Sequence, residues 1–280
     1  MDQGELTHHY NGNQLAQAGR LPEAIAQWQA SLERTPGFAP THYNLALAYF
    51  REREVAKAID HWLQALRSDP HHLDSLYGLG LAYCDQQRFD EAEDMFRRVL
   101  ERVSTHVGAL NNVGLLAARE HDYERAATYF IKAATVDPGY AEAYYNLGTA
   151  RYEQGQIDEA IFAFEQAVRL QPQHVSAQHN LALCYYRQTK YDLAEMAFQQ
   201  VLIASPDHLL AHFNLGLVHW HCMRYQDALG SYRNARERGF EHPLLDYHMA
   251  LAYAALGQHE KALELWPAIA SDVGQAVPVR

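Results

Sequence analysis

The sequence predicts an all-α solenoid of about sixteen antiparallel helices, and three observations support this fold class. An alanine recurs at the same place every 34 residues along the 280-residue chain. Apolar residues within each 34-residue repeat follow a period of about 3.6, which is that of an amphipathic helix. A turn position divides each repeat into two such stretches, and proline often follows the second stretch. Each repeat is therefore predicted to be a helix, a tight turn and a second helix.

The 34-residue period divides the chain into eight repeats. Places within a repeat are numbered 1 to 34 from its first residue. The recurring alanine stands at place 20 and occurs as Ala24, Ala58, Ala92, Ala126, Ala160, Ala194, Ala228 and Ala262. The repeats cover residues 5–38, 39–72, 73–106, 107–140, 141–174, 175–208, 209–242 and 243–276. Because no insertion interrupts them, they leave no room for a second domain, and we expect one solenoid domain over residues 1–280.

The composition argues against several classes of partner. The chain has 23 Lys and Arg against 34 Asp and Glu, a net charge of −11, so it lacks the basic surface that binds nucleic acid or anionic membranes. Its cysteines, Cys84, Cys184 and Cys222, have neither the spacing of a zinc site nor the density of a disulfide scaffold. No signal peptide or membrane span is evident in the sequence. We therefore predict a cytoplasmic protein with no nucleic-acid partner and no membrane insertion.

The fifth repeat, residues 141–174, shows how the local sequence determines each element. Gly155 stands at place 15 between the two apolar stretches, and Gly19 and Gly257 occupy the same place. Proline at place 32 ends the second helix, because its ring cannot continue a helix. These prolines are Pro36, Pro70, Pro138, Pro172 and Pro206. The departures from this pattern are Ser104 and Phe240 at place 32 and Pro267 inside the last predicted helix.

A recurring motif places an aromatic residue, Leu and Gly in the first helix, then Ala, a second aromatic residue and Pro. In the fifth repeat these are Tyr144, Leu147, Gly148, Ala160, Phe164 and Pro172. The motif resembles the tetratricopeptide repeat (TPR), and the resemblance covers nearly the whole chain. It implies a right-handed superhelical solenoid, the alpha-alpha superhelix.

Packing within and between repeats should follow from small and large residues at fixed places. One helical hairpin cannot bury its own apolar face, so neighbouring repeats must stack around a continuous core. Small residues at places 8 and 20, such as Gly148 and Ala160, should let the two helices approach closely. Aromatic residues at place 24, such as Phe164, should fill the space between them.

The TPR resemblance implies a concave groove lined by the first helix of each repeat, at places 2, 5, 9, 12 and 13 with place 6 nearby. Apolar and aromatic residues dominate these places, and exposed surfaces of this kind mark binding sites. We therefore expect an extended peptide or an amphipathic helix of a partner protein to bind there. The alternative is that neighbouring repeats cover some of the rings. The candidate residues are Tyr43, Asn44, Leu47, Phe50, Tyr77, Leu81, Asn112, Leu115, Tyr145, Asn146, Tyr152, Asn180, Leu183, Tyr186, Phe213, Asn214, Leu217 and Trp220.

Asparagine recurs at place 6, as Asn44, Asn112, Asn146, Asn180 and Asn214. An amide has a donor and an acceptor, so a row of amides can pair with a peptide backbone without reading its side chains. The row resembles the asparagine ladder in the repeat region of O-GlcNAc transferase, where it holds peptide substrates. The alternative is that each amide bonds to a neighbouring helix and fixes stacking.

Charged residues at place 13 alternate in sign from repeat to repeat. They are Arg51, Asp85, Arg119, Glu153 and Arg187, followed by His221. Adjacent first helices should lie about 10 Å apart, so we expect these side chains to form a ladder of surface ion pairs. A self-neutralised groove would have little net field to attract a charged ligand.

The seventeen histidines raise the question of a metal site or a catalytic centre. The histidines at place 34 stand one repeat apart, too far for two of them to share a metal, and loop polarity accounts for them. Stacking that is sensitive near pH 6 is a further expectation. No phosphate-binding loop, nucleophile elbow or zinc-protease motif is present, so we predict no enzyme, no catalytic residue, no cofactor and no metal.

The sequence thus predicts a non-catalytic scaffold that binds a partner protein in its groove. One alternative is a structural protein that assembles with itself through its terminal repeats. Self-association through the C-terminal repeat is expected from the apolar residues Leu265, Trp266 and Ile269, and docking of this end onto the tail or onto a partner is the alternative. Another alternative is a subunit that recruits substrates to a separate enzyme.

Overall fold

The computed structural model describes residues 3–265, which form two compact units. The first unit ends at Asp137 and the second begins at Pro138, close to the boundary between the fourth and fifth repeats. Each unit therefore corresponds to four repeats. The eighth repeat is described only as far as residue 265. The single domain over residues 1–280 stays a prediction.

All regular structure in residues 3–265 is helical, so the predicted all-α fold is confirmed. The first unit contains α1 Gln3–Gln17, α2 Leu21–Arg34, α3 Ala39–Arg51, α4 Val55–Ser68, α5 Leu73–Asp85, α6 Phe89–Arg102, α7 Val107–Arg119 and α8 Tyr123–Val136. The second contains α9 Ala141–Glu153, α10 Ile157–Leu170, α11 Val175–Arg187, α12 Tyr191–Ala204, α13 Leu209–His221, α14 Tyr225–Glu237 and α15 Pro243–Ala255. A further helix begins at residue 259, and its described part ends at residue 265.

In the first seven repeats, an aromatic ring at place 24 packs against small residues of the hairpin, as the sequence predicted. In the fifth repeat, Ala160 and the ring of Phe164 are fully buried. A Cβ atom added at Gly148 would lie 2.6 Å from the Phe164 ring. A side chain at Gly148 would therefore force the Phe164 ring and the two helices apart. The same arrangement joins Gly80 to Phe96.

The turn between the two helices of each repeat contains one residue with positive φ, always at place 15. These residues are Gly19, Arg53, Gln87, His121, Gly155, Thr189, Met223 and Gly257, with φ between 57° and 75°. In the sixth repeat the N–H of Thr189 donates to the carbonyl of Tyr186 and the N–H of Lys190 to that of Tyr185, both at 2.9 Å. These bonds satisfy carbonyl groups at the end of α11. The turn therefore forms whether or not place 15 is glycine, although glycine adopts this conformation most easily.

Histidine at place 34 caps the first helix of the next repeat. The Nδ1 atom of His72 accepts a hydrogen bond from the backbone N–H of Ser75 at 3.2 Å, and His106, His174 and His208 make the same bond at 3.1 to 3.2 Å. Helix N-termini leave such N–H groups without a partner inside the helix. Loop polarity is therefore the wrong explanation for these four histidines, because each has a specific acceptor role that requires an unprotonated Nδ1.

The capping rings also pack against the aromatic residue at place 5 of their own repeat. The ring centroids of Tyr77 and His106 are 4.9 Å apart, and those of Tyr145 and His174 are 4.6 Å apart. In the seventh repeat Phe240 covers Phe213 instead, at 5.1 Å. In the third and fifth repeats, places 5 and 34 thus close the loop side of the hairpin together.

His179 is the most strongly perturbed of the histidines at place 5. Its ring is buried, stacks on His208 at 4.8 Å, and meets the Phe198 ring edge-on at 5.6 Å. Burial, and secondarily the proximity of His208, lower the pKa of His179 from 6.5 to about 4. The folded protein therefore favours the neutral imidazole.

Glycine in place of Thr189 should stabilise the protein, because a β-branched residue in the left-handed region is strained. We expect Thr189→Gly to raise the free energy of unfolding by about 0.5–1 kcal/mol, after allowing for the greater freedom of glycine in the unfolded chain. The reverse change at the equivalent position, Gly155→Thr, should lower it by a similar amount. Urea unfolding of the three proteins measures both effects, and equal midpoints would show that the turn is unstrained.

Acidification should destabilise the second unit through His179. The pKa of His179 is lower in the folded protein than the value of 6.5 expected in the unfolded chain. The stability that neutral His179 contributes is therefore complete above pH 6.5 and is lost as the pH falls towards 4. The free energy of unfolding should decrease by at most about 3 kcal/mol over this range. His179→Phe should lose less stability over this range, and Phe213 shows that phenylalanine fits this place. Urea unfolding between pH 7.5 and pH 4.5 compares the two proteins. All other titratable groups are shared, so parallel pH curves would contradict the role of His179.

Candidate functional site

The predicted groove residues at place 5 are largely covered. Tyr43, Tyr77 and Tyr145 are half-buried, and Phe213 is buried. The capping rings lie over them, as at Tyr43, whose ring centroid is 5.2 Å from that of His72. Burial raises the pKa of the Tyr77 hydroxyl. Place 5 therefore contributes to packing more than to an open surface.

In the first unit, the asparagine side chains at place 6 bond within the protein. Asn44 donates to Oδ1 of Asn13 at 2.7 Å, and the same oxygen accepts from the indole N–H of Trp28 at 3.0 Å. Asn112 donates to the Tyr77 hydroxyl at 3.2 Å and to the carbonyl of Gly108 at 2.8 Å. These two amides join neighbouring helices, which is the stacking role that the sequence left as an alternative.

In the second unit, the asparagine row is differently placed. Asn146 on α9 is buried, whereas Asn180 on α11 and Asn214 on α13 are half-buried. Neither Asn180 nor Asn214 makes a side-chain hydrogen bond to any of the residues that the structure describes. The helices α11 and α13 contact each other directly. Two half-buried amides that make no hydrogen bond to the described residues thus stand at equivalent positions on adjacent helices.

The leucines at place 9 are the most open apolar groups among the predicted residues. Leu47 is 37% exposed and Leu115 is 42% exposed. The other predicted leucines at this place are half-buried, namely Leu81, Leu183 and Leu217.

The rings at place 12 are all half-buried and each has an aromatic or cationic neighbour. Phe50 lies against Trp62 with centroids 5.5 Å apart, and Trp220 lies against Tyr225 at 4.9 Å. Tyr186 lies 5.9 Å from Tyr191 and 5.5 Å from His221. Tyr152 is covered by the guanidinium of Arg187 at 4.2 Å. The surface around place 12 is therefore aromatic but partly occupied by the protein itself.

The predicted ladder of ion pairs at place 13 is wrong. The guanidinium of Arg119 lies 3.5 Å from the centroid of the Phe89 ring, as Arg187 lies over Tyr152. Asp85 is paired with Arg53, at 3.8 Å. An arginine above an aromatic face gains cation–π attraction without depending on a neighbouring carboxylate.

A pocket of about 340 Å³ lies between the first two repeats. Asn13, Trp28, Asn44, Leu47 and Arg51 are among the residues that line it. Asn13, at place 9 of the first repeat, was not among the predicted residues. The sequence contains a signal for it, because most other repeats have leucine at this place. A second, more apolar pocket of about 280 Å³ lies at the eighth repeat. It includes Tyr247 and Leu251, which also fall on places 5 and 9.

Ser231, His219 and Glu195 form the arrangement in the second unit that most resembles a catalytic triad. The Ser231 hydroxyl lies 3.2 Å from Nδ1 of His219, and Nε2 of His219 lies 3.3 Å from Glu195. Ser231 and His219 are buried, so a substrate has no access to the hydroxyl. These contacts join α14, α13 and α12, so the three side chains stabilise the packing of these helices.

Residues 3–265 show neither a cluster of metal-ligating side chains nor a membrane-spanning helix. They contain no group of three or more His, Cys, Asp or Glu side chains placed to hold a metal ion. Among their helices, none combines the length and apolar character needed to cross a bilayer. Cytoplasmic location stays a prediction. So does association through the C-terminal repeat, since Trp266, Pro267 and Ile269 lie outside the described residues.

Comparison with known proteins identifies the family and the fold. A family model described as tetratricopeptide repeat matches residues 43–107, 113–175, 145–206 and 179–222. Two further models, a TPR repeat and a tetratricopeptide repeat, match residues 12–52 and 243–266. No curated protein matches the chain.

Several solved structures share the fold at low sequence identity. A tetratricopeptide repeat protein from Parabacteroides merdae is 17% identical, with a TM-score of 0.64, over 90% of this chain and 99% of that one. PilF of Pseudomonas aeruginosa is 18% identical, with a TM-score of 0.65, over 77% and 96%. YrrB is 23% identical, with a TM-score of 0.57, over 66% and 95%. The predicted fold class, an alpha-alpha superhelix, is confirmed, and the chain belongs to the tetratricopeptide repeat family.

Proposed function

We propose that this protein is a non-catalytic scaffold whose second unit binds an extended segment of a partner protein across α11 and α13. The single observation that carries this proposal is the pair of amides of Asn180 and Asn214, which have no partner in the described part of the chain. Neighbouring first helices lie about 10 Å apart, and three residues of extended peptide span about the same distance. An extended peptide would therefore offer one backbone group to each amide.

The apolar surface beside the two amides would supply affinity. Leu183 and Leu217 lie three residues beyond Asn180 and Asn214 on the same helices, and Trp220 is three residues further along α13. All three are half-buried, so a bound side chain would complete their burial. Backbone pairing with apolar side pockets is a recurrent mode of peptide recognition.

The family and one similar structure support a role in protein interaction. YrrB is described as a TPR protein with an unusual peptide-binding site. The peptide-binding site of this chain would lie on its own residues, Asn180 and Asn214. The candidate residues of the first unit are less suited to backbone pairing, because Asn44 and Asn112 already bond within the protein.

Removing the two amides should weaken peptide binding without unfolding the protein. Peptides selected from a random displayed library on the wild-type chain serve as probes. We expect Asn180→Ala and Asn214→Ala to raise Kd roughly fivefold each and about 30-fold together, since each deletes a hydrogen bond of about 1 kcal/mol. Asn234→Ala, an exposed asparagine on α14, is the matched control and should leave Kd unchanged. Fluorescence anisotropy gives the Kd values.

Methylation of the peptide backbone tests whether the Asn180 and Asn214 amides bind the peptide backbone directly, or whether their removal weakens binding in another way. A probe whose paired backbone nitrogen carries a methyl group should bind the wild type weakly. The double variant should bind the methylated and unmethylated probes equally. Selected peptides that bind the double variant as tightly as the wild type would place the site elsewhere.

A further inference from the structure

The outward face of α12 differs from that of every other second helix in the eight repeats. Place 19 is charged in the seven other repeats, as Glu23, Lys57, Glu91, Arg125, Glu159, Asp227 and Lys261. The sixth repeat has Leu193 there, and it has Ile203 at place 29, where five other repeats carry Glu or Arg. Leu193, Met196 and Ile203 are 43%, 63% and 72% exposed. Apolar residues have thus replaced charges on a solvent-facing surface.

Leu193, Met196, Gln200 and Ile203 form one stripe along α12, here called the outer seam. Their spacings of three, four and three residues place them on one side of the helix, as at the a and d positions of a coiled coil. Gln200 is the polar member of this stripe, and it is exposed. The outer seam therefore has the pattern of a helix that packs against one other helix.

We propose that the outer seam binds the outer seam of a second copy of this chain, with the two α12 helices antiparallel around a twofold axis near residue 198. In this arrangement Leu193 of one copy meets Ile203 of the other, and Met196 meets Gln200. A twofold interface uses the same patch on both copies, and this seam is complementary to itself in that register.

The charges at the two ends of α12 favour the antiparallel arrangement. Lys190 precedes the helix and is exposed, and it forms no ion pair with the residues that the structure describes. Asp207 follows the helix; it pairs with Arg238 at 3.2 Å, and its side chain is still 89% exposed. Antiparallel pairing brings Lys190 of one copy to Asp207 of the other, whereas parallel pairing would bring the two lysines together. The opposed helix dipoles add to this preference.

The outer seam is distinct from the surface proposed for peptide binding. Asn180 and Asn214 belong to the first helices α11 and α13, whereas the seam lies on the second helix of the sixth repeat. A dimer would therefore leave the amides available, and each proposal can fail without the other.

Sedimentation equilibrium tests the dimer. Four side chains on each copy make a small interface, so we expect weak association that becomes visible between roughly 10 µM and 1 mM. The apparent mass of the wild type should rise from 31.9 kDa towards twice that value. Met196→Glu should stay monomeric, because it places two like charges inside the seam. Ile131→Glu, which adds the same charge at an exposed apolar position on α8, should associate like the wild type.

Additional variants keep the test decisive. Gln200→Lys changes the polar residue of the outer seam and should also abolish association. This variant replaces Met196→Glu in the test if circular dichroism shows that Met196→Glu folds poorly. Lys190→Asp should weaken association at least severalfold. A wild type that remains monomeric at every concentration would overturn the proposal and make a different helix the occupant of the seam. Association of Met196→Glu at wild-type strength would also overturn it.

Discussion

The contact between the place-24 ring and the small residues of its own hairpin is the constraint on which the rest of the structure depends. Phe164 occupies the space left by Gly148 and Ala160, which brings the two helices of the fifth repeat together. This closeness sets the path of the three-residue turn and hence the left-handed residue at place 15. It also determines how the first helices present their side chains. Turn geometry, capping and the candidate site all follow from that packing.

Much of the fold could be predicted because the relevant signals repeat. Alanine at place 20 and the 34-residue period locate both helices of each repeat, and the aromatic residue at place 24 identifies the core. The left-handed conformation of Thr189 or Met223 could not be read from residue type, since neither is a turn-forming residue. Tertiary packing imposes the conformation there, and only the repeat register connects these residues with Gly155.

The site was less predictable, because residue type does not show which partner a side chain has. All five asparagines at place 6 look alike in the sequence, yet Asn44 has Asn13 within reach, whereas Asn180 has no such neighbour. Histidine is not among the usual N-cap residues, so the role of His106 needed the position of its Nδ1 atom. Arg119 and Arg187 at place 13 lie over rings supplied by the preceding repeat. The apolar face of α12, by contrast, can be recognised in the sequence, because Leu193 stands at place 19, where the other repeats have a charged residue.

The left-handed residue at place 15 also bears on how the chain opens. In a stacked array the total stability is approximately the sum of the stabilities of single repeats and of the contacts between neighbours. Glycine removes the backbone strain of this turn, and it occupies place 15 in the first and eighth repeats as well as in the fifth. The repeats that have Arg53, Gln87, His121, Thr189 or Met223 at this place therefore carry backbone strain that the repeats with glycine do not, so repeats with the same packing should still differ in their own stability.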